Sequence, residues 1–68
     1  MDISIAKVIL KAATSLDGEL GKIDMVVSKI DNKDERNIWI TRLGNAIRAI
    51  NEELIVPIET EFPELGVS

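Results

Sequence analysis

A chain of 68 residues that is 46% hydrophobic and 29% charged, with a net charge of −4, has room for one domain. It contains no cysteine and no histidine, which excludes thiol and disulfide chemistry, zinc-finger ligand sets and any catalytic triad built on an imidazole. Without a disulfide or a structural metal, the core that one copy of so short a chain can build is small, and association with another chain is the expected remedy.

The first residues, Met1-Asp2-Ile3-Ser4-Ile5-Ala6-Lys7, open on an acid, and Lys7 and Lys11 interrupt the apolar stretch. Neither the basic start nor the unbroken apolar run of a signal peptide is present. The charge-free runs fall short of the ~20 apolar residues of a membrane span. The expected location is cytoplasmic, away from membranes.

From Ile5 onward, Ile9, Ala12, Leu16, Leu20, Ile23, Val27 and Ile30 follow at steps of three or four, the spacing of one amphipathic helix face. The stripe keeps its phase across Asp17-Gly18, so one long helix over about residues 2–31 is expected, with a break near residue 17 as the alternative because that dipeptide is a turn signal. A second row, Ile3, Ala6, Leu10 and Ala13, widens the apolar face in the N-terminal half. One neighbouring helix cannot cover a face so wide. Asp31-Asn32-Lys33-Asp34-Glu35 then punctuates the chain, with Asn32 and Glu35 spaced as a reciprocal capping pair that starts a second helix.

In that helix, over about residues 34–56, Ile40, Leu43, Ile47, Ile50 and Leu54 repeat at alternating steps of three and four. Trp39 and Ala46 stand on one shoulder of this seam, Gly44 and Asn51 on the other, and Gly44 is expected to let a neighbouring helix come close. Pro57 is expected to end or kink the helix. Residues 57–68 read as an acidic and apolar tail, extended or with one short helical turn. The predicted fold is all-α: an antiparallel helical hairpin of two long helices, a turn at 31–34 and a short tail, dimerising into a four-helix bundle.

Motifs for chemistry fail on inspection. Gly18-Glu19-Leu20-Gly21-Lys22 approaches a phosphate loop, but Leu16 and Ile23 stand where a Gly and a Ser or Thr are required. The segment from Asp31 lacks the calcium loop's Gly at its sixth position, held by Arg36, and its distal Glu. A dyad of Ser15 with Lys11 or Lys22 lacks an oxyanion hole, and Asp17, Glu19 and Asp24 lack a cleft to raise one carboxyl pKa. No catalytic, cofactor-binding or metal-binding residue is assigned, and an enzyme is not expected.

Binding is the expected activity. The residues assigned to a self-association interface are Ile3, Ile5, Ile9, Leu10, Leu16, Trp39, Leu43, Ile47, Ile50 and Leu54, with Trp39 either in the dimer core or presented to a foreign protein partner. Ile58, Phe62 and Leu65, set among glutamates, either recognise a partner or fold back over the first helix. Lys7, Lys11, Lys22, Lys29 and Lys33, all the lysines of the chain, project within about 80° of one another, opposite the apolar stripe. Doubled in a dimer, they would form a ridge for the phosphates of RNA or DNA, although the ridge has neither Arg nor an aromatic for base stacking. A dimeric hairpin with such a ridge resembles the small plasmid-encoded RNA-binding dimers in architecture alone. The leading expectation is therefore a non-enzymatic interaction or regulatory protein, and the alternative a four-helix-bundle RNA binder. Residues 1–48 hold eight basic and seven acidic side chains, while residues 49–68 hold five acids and no base. The acidity thus belongs to the C-terminal end, and the tail of one chain can meet the lysine face of another, a contact that salt would weaken.

Overall fold

The computed structural model describes residues 1–66, and all its regular structure is helical: α1 (Ile3–Val27), α2 (Lys33–Ile50), a π-helical turn (Asn51–Ile55), α3 (Val56–Glu61) and a 3₁₀ turn (Pro63–Leu65). Val67 and Ser68, the last residues of the expected tail, lie outside the described residues. Helix α1 packs on α2 and on the π-helical turn, and the molecule measures 46 × 19 × 17 Å. No helix among the described residues is long and apolar enough to cross a membrane.

Local chemistry sets the ends of α1. The Asp2 carboxylate accepts the Ser4 N–H at 2.9 Å and the Ser4 hydroxyl at 3.0 Å, satisfying one of the donors that a helix N-terminus leaves free. The helix runs unbroken through Asp17-Gly18, where the turn signal loses to the continuous apolar phase. It stops at Val27, short of the expected residue 31. There the Ser28 hydroxyl donates to the Met25 carbonyl at 2.7 Å, and the Lys29 and Ile30 N–H groups tighten onto the Val26 and Val27 carbonyls, three residues back. Asn32 needs extended backbone (φ −71°, ψ 121°) for its side chain to accept the Glu35 N–H at 2.9 Å and cap α2. A helix continued to residue 31 leaves no room for that turn. Arg36 closes it, donating from Nη1 to the Ile30 carbonyl at 2.9 Å.

The buried line of α1 follows the expected stripe in its C-terminal half and the second apolar row in its N-terminal half. Ala6, Ala13 and Val27 are buried and Leu20 is half-buried, four positions spaced seven apart, whereas Ile5 and Ala12 are exposed. The seam is therefore rotated by about one residue, or 100°, from Ile5 and Ala12 in the N-terminal half. Two alanines hold its N-terminal positions, and so small a residue lets the second helical element come near.

The largest departure is at Pro57. In a regular α-helix its ring would crowd the Glu53 carbonyl and leave it without a donor. Instead, Asn51–Ile55 widens into a π-helical turn, in which the Val56 N–H donates to the Asn51 carbonyl five residues back, and the chain continues helically through Pro57 to Glu61. The extra residue shifts the phase of everything after it. Arg36, Leu43 and Ile50 are partly buried at steps of seven; the next two inward positions of an undisturbed helix would be Pro57 and Glu61. The turn places Ile58 there at 5% exposure, with Phe62 half-buried behind it. Single π-helical turns of this kind are the usual way a helix absorbs one extra residue. The tail, expected to be extended or to hold one short helical turn, is thus a re-phased helix, and its apolar side chains turn inward as in the fold-back alternative.

Within one chain, no helix comes close at Gly44. A Cβ at Gly44 would meet nothing within 4 Å, and the same holds at Gly18 and Gly21.

Candidate interaction surface

Four residues are buried among those described, Ala6, Ala13, Val27 and Ile58, and no large side chain is fully enclosed. Fourteen large apolar side chains are exposed. Part of this set shares one side. On α1, Ile5, Val8, Leu16, Ile23 and Val26 fall within about 80° of the helix surface, and each is at least 38% exposed. Ile5 and Ile23 stand eighteen residues apart, as do Val8 and Val26, which is five full turns and so the same side of the helix.

Trp39 continues this side onto α2. Ile23 and Val27 of α1 meet Trp39, Arg42, Leu43 and Ala46 of α2 around an open groove of about 280 Å³. A shallower depression of about 320 Å³ adjoins it, lined by Glu19, Lys22, Ile23, Val26 and Val27. The Trp39 ring is 46% exposed and is held along the helix by Arg42, whose guanidinium carbon lies 5.3 Å from the ring centroid. A contact of that geometry is worth about 0.5–1 kcal/mol at an exposed site. Small exposed side chains, Ala12, Ala46 and Ala49, occupy the middle of this side.

The opposite side has a different character. Its depression, about 370 Å³, is lined by Asp17, Arg48 and Asn51 along with Leu20, Gly44, Ile47, Ile50 and Ile55. Ile47 is 44% exposed there, but charged and amide groups interrupt the apolar surface.

The residues assigned to an interface from sequence divide in two. Ile9, Leu10, Leu43 and Ile50 are half-buried within the chain itself, whereas Ile3, Ile5, Leu16, Trp39, Ile47 and Leu54 remain exposed. Of the tail residues, Ile58 is buried and Phe62 and Leu65 are half-buried in the chain's own fold. All five lysines are exposed, but only Lys7, Lys11 and Lys22 lie on α1. Lys29 falls in the turn because α1 ends early, and Lys33, expected in the turn, opens α2. Lys22 is paired with Glu19 at 3.1 Å. The Ser15 hydroxyl donates to the Lys11 carbonyl at 2.7 Å, so its proton is directed at backbone.

Sequence reasoning missed Val8, Ile23, Val26, Arg42 and Ala46 as members of this surface. The eighteen-residue recurrence of Ile5 with Ile23 and Val8 with Val26 was the available signal. Arg42, three residues after Trp39, is the spacing at which helical side chains meet. No family model, curated protein or solved structure matches this chain.

Proposed function

We propose that this chain is a non-enzymatic interaction protein: an antiparallel helical hairpin that works as an oligomer of itself and, in that form, binds a larger protein. The observation that carries the reading is the imbalance of fourteen exposed large apolar side chains against four buried residues. The part of this set gathered on one side, from Ile5 to Val26 with Trp39, is contiguous apolar surface of the kind that marks an interaction site, and small domains without disulfides or metals reach stability by oligomerising.

The antiparallel arrangement has two supports. Ile23 and Val27 share a groove with Trp39 and Leu43, while the earlier Asp17 and Leu20 share one with the later Ile47 to Ile55. Placed end to end, the 25 residues of α1 and the run from Lys33 to Glu61 would span roughly 80 Å, far more than the 46 Å observed. The RNA-binding reading has less support, because the lysine row on α1 is shortened and Lys22 already has a partner.

Sedimentation equilibrium at micromolar concentration tests the proposal, with a mass of at least twice 7.5 kDa expected. A folded monomer there would overturn self-association. Nucleic acid that co-purifies with the chain, and whose binding falls steeply as salt rises, would replace the protein partner by RNA or DNA.

A further inference from the structure

We infer that two copies join through the Trp39 side, with their long axes antiparallel so that the turn of each hairpin lies over the open end of the other. This rests on the self-association proposed above and names its face and orientation.

Area points to a second copy as the occupant. The chain exposes 5180 Å², whereas a compact monomer of 7.5 kDa is expected to expose roughly 4,200 Å². The excess, roughly 900 Å², is close to the ~800 Å² each partner contributes to a standard interface. The apolar row on α1 from Ile5 to Val26 spans about 32 Å, long enough to supply such an area. The charged groups on this side already have partners within the chain, Arg42 over the Trp39 ring and Glu19 with Lys22. The opposite side would bury Asp17, Arg48 and Asn51, and burying charged or amide groups without partners is costly.

Charge sets the orientation. Around the turn, residues 22–42 hold five basic and four acidic side chains; at the open end, residues 1–12 and 48–66 hold three basic and six acidic ones. A dimer with both turns at one end would bring two open ends of formal charge −3 together. The antiparallel dimer sets each against a turn region of +1. A two-fold axis perpendicular to the helices then passes near Leu16, the midpoint of the α1 row, and α1 lies over its own copy. Leu16 approaches its symmetry mate, and Val8 approaches the Val26 position of the partner. Ala12, Ala46 and Ala49 fall near the axis, where small side chains permit close contact, and the bulkier Trp39, Ile23, Ile5 and Val8 lie toward the ends.

The absence of native cysteine makes cross-linking a direct test. Val8 and Val26 are 68% and 67% exposed, so Val8→Cys and Val26→Cys leave the monomer's own packing intact. On mild oxidation, a mixture of these two variants is expected to form a disulfide-linked pair that neither forms alone, and Leu16→Cys is expected to link to itself. Val26→Lys should weaken the dimer at least tenfold, while Met25→Lys, 64% exposed on the lysine side of α1, should leave it unchanged. A dimer that resists Val26→Lys, or one in which the Val8→Cys and Val26→Cys variants do not link, overturns this face and orientation but leaves self-association standing. A wild-type chain that sediments as a folded monomer overturns both.

Discussion

In the hairpin we propose, the two ends meet the same shortage of core in different ways. At the open end, the chain spends a π-helical turn to rotate its last apolar residues inward: Ile58 is buried, Phe62 and Leu65 are half-buried, and Ala6 and Ala13 are closed off on α1. At the turn end, α2 has no buried residue at all, and Trp39, Ile23 and Val26 stay between 46% and 67% exposed beside a groove of about 280 Å³. The open end buries three residues within its own chain and the turn end one, Val27, while Ile5 and Val8 at the open end stay as exposed as Ile23 and Val26 at the turn. A residue that packs on its own chain should be sensitive to mutation as a matter of stability, and one that awaits a partner as a matter of association.

The largest effect expected from this contrast is at Ile58. Replacing a buried isoleucine by alanine costs about 2–5 kcal/mol, a large fraction of what a fold of this size can hold. Ile58→Ala should therefore largely unfold the chain. Ile38→Ala, at a site 57% exposed on α2, should stay within about 0.5 kcal/mol of wild type. Urea titration followed by circular dichroism measures both, and equal costs at the two sites would erase the distinction between the ends.

A second test separates the proline from the phase it serves. If the π-helical turn exists to bring Ile58 inward, removing one residue from it should restore an unbroken seven-residue spacing from Ile50 to Ile58. Deletion of Glu53 combined with Pro57→Ala should then keep Ile58 buried on a regular helix. Its stability should fall within about 1–2 kcal/mol of the wild type, because the lost turn is replaced by ordinary helical hydrogen bonds. Deletion of Glu53 with Pro57 retained puts the ring back into an α-helical interior and should cost about 3 kcal/mol or more. Thermal melts rank the three chains, and a double change as damaging as the single deletion would show that the π-helical turn has a role other than phase.

The all-helical character, the turn near Asp31 and the Asn32 cap were legible in the sequence because each depends on neighbours a few residues apart. The seam of α1 was read correctly at Leu20 and Val27 and ranked wrongly in the N-terminal half, where Ala6 and Ala13 stood only in the second row. Ile5 and Ala12 share a periodic row with Ile9 and Leu16, and hydrophobicity alone ranks Ile5 above Ala6. Burial favoured the alanines, because what decides the seam is how near the second element can come, a property of two segments far apart in sequence. The course of the chain past Pro57 was illegible on the same ground. A proline forbids one hydrogen bond, and whether the helix stops or widens depends on whether Ile58 and Phe62 have a surface to bury against. The Trp39 surface was half visible: Trp39 itself and Leu16 were singled out, but Val26 and Arg42 join it only once α1 and α2 are set side by side.

The smallest effect concerns the cap that starts α1 at the open end. The Ser4 backbone N–H, and after it the Ser4 hydroxyl, hold the Asp2 carboxyl below its ordinary value of 3.8, against a slight opposing effect of desolvation. A carboxyl whose folded pKa lies below its unfolded one binds fewer protons in the folded state. Its contribution is therefore complete above the unfolded value and is lost as pH falls through the folded one. Between neutrality and pH 5, Asp2 should add no slope to the stability curve; below about pH 4 the first turn of α1 should begin to fray. Asp2→Asn retains an acceptor oxygen for the Ser4 N–H but cannot titrate, so it should remove this acid-dependent fraying while leaving the cap in place. Amide exchange at Ser4 and Ile5, followed from pH 5 to pH 2.5 and corrected for intrinsic rates, reads the difference directly. An Asp2→Asn variant that frays as the wild type does would mean that the acid sensitivity of this end does not come from the cap.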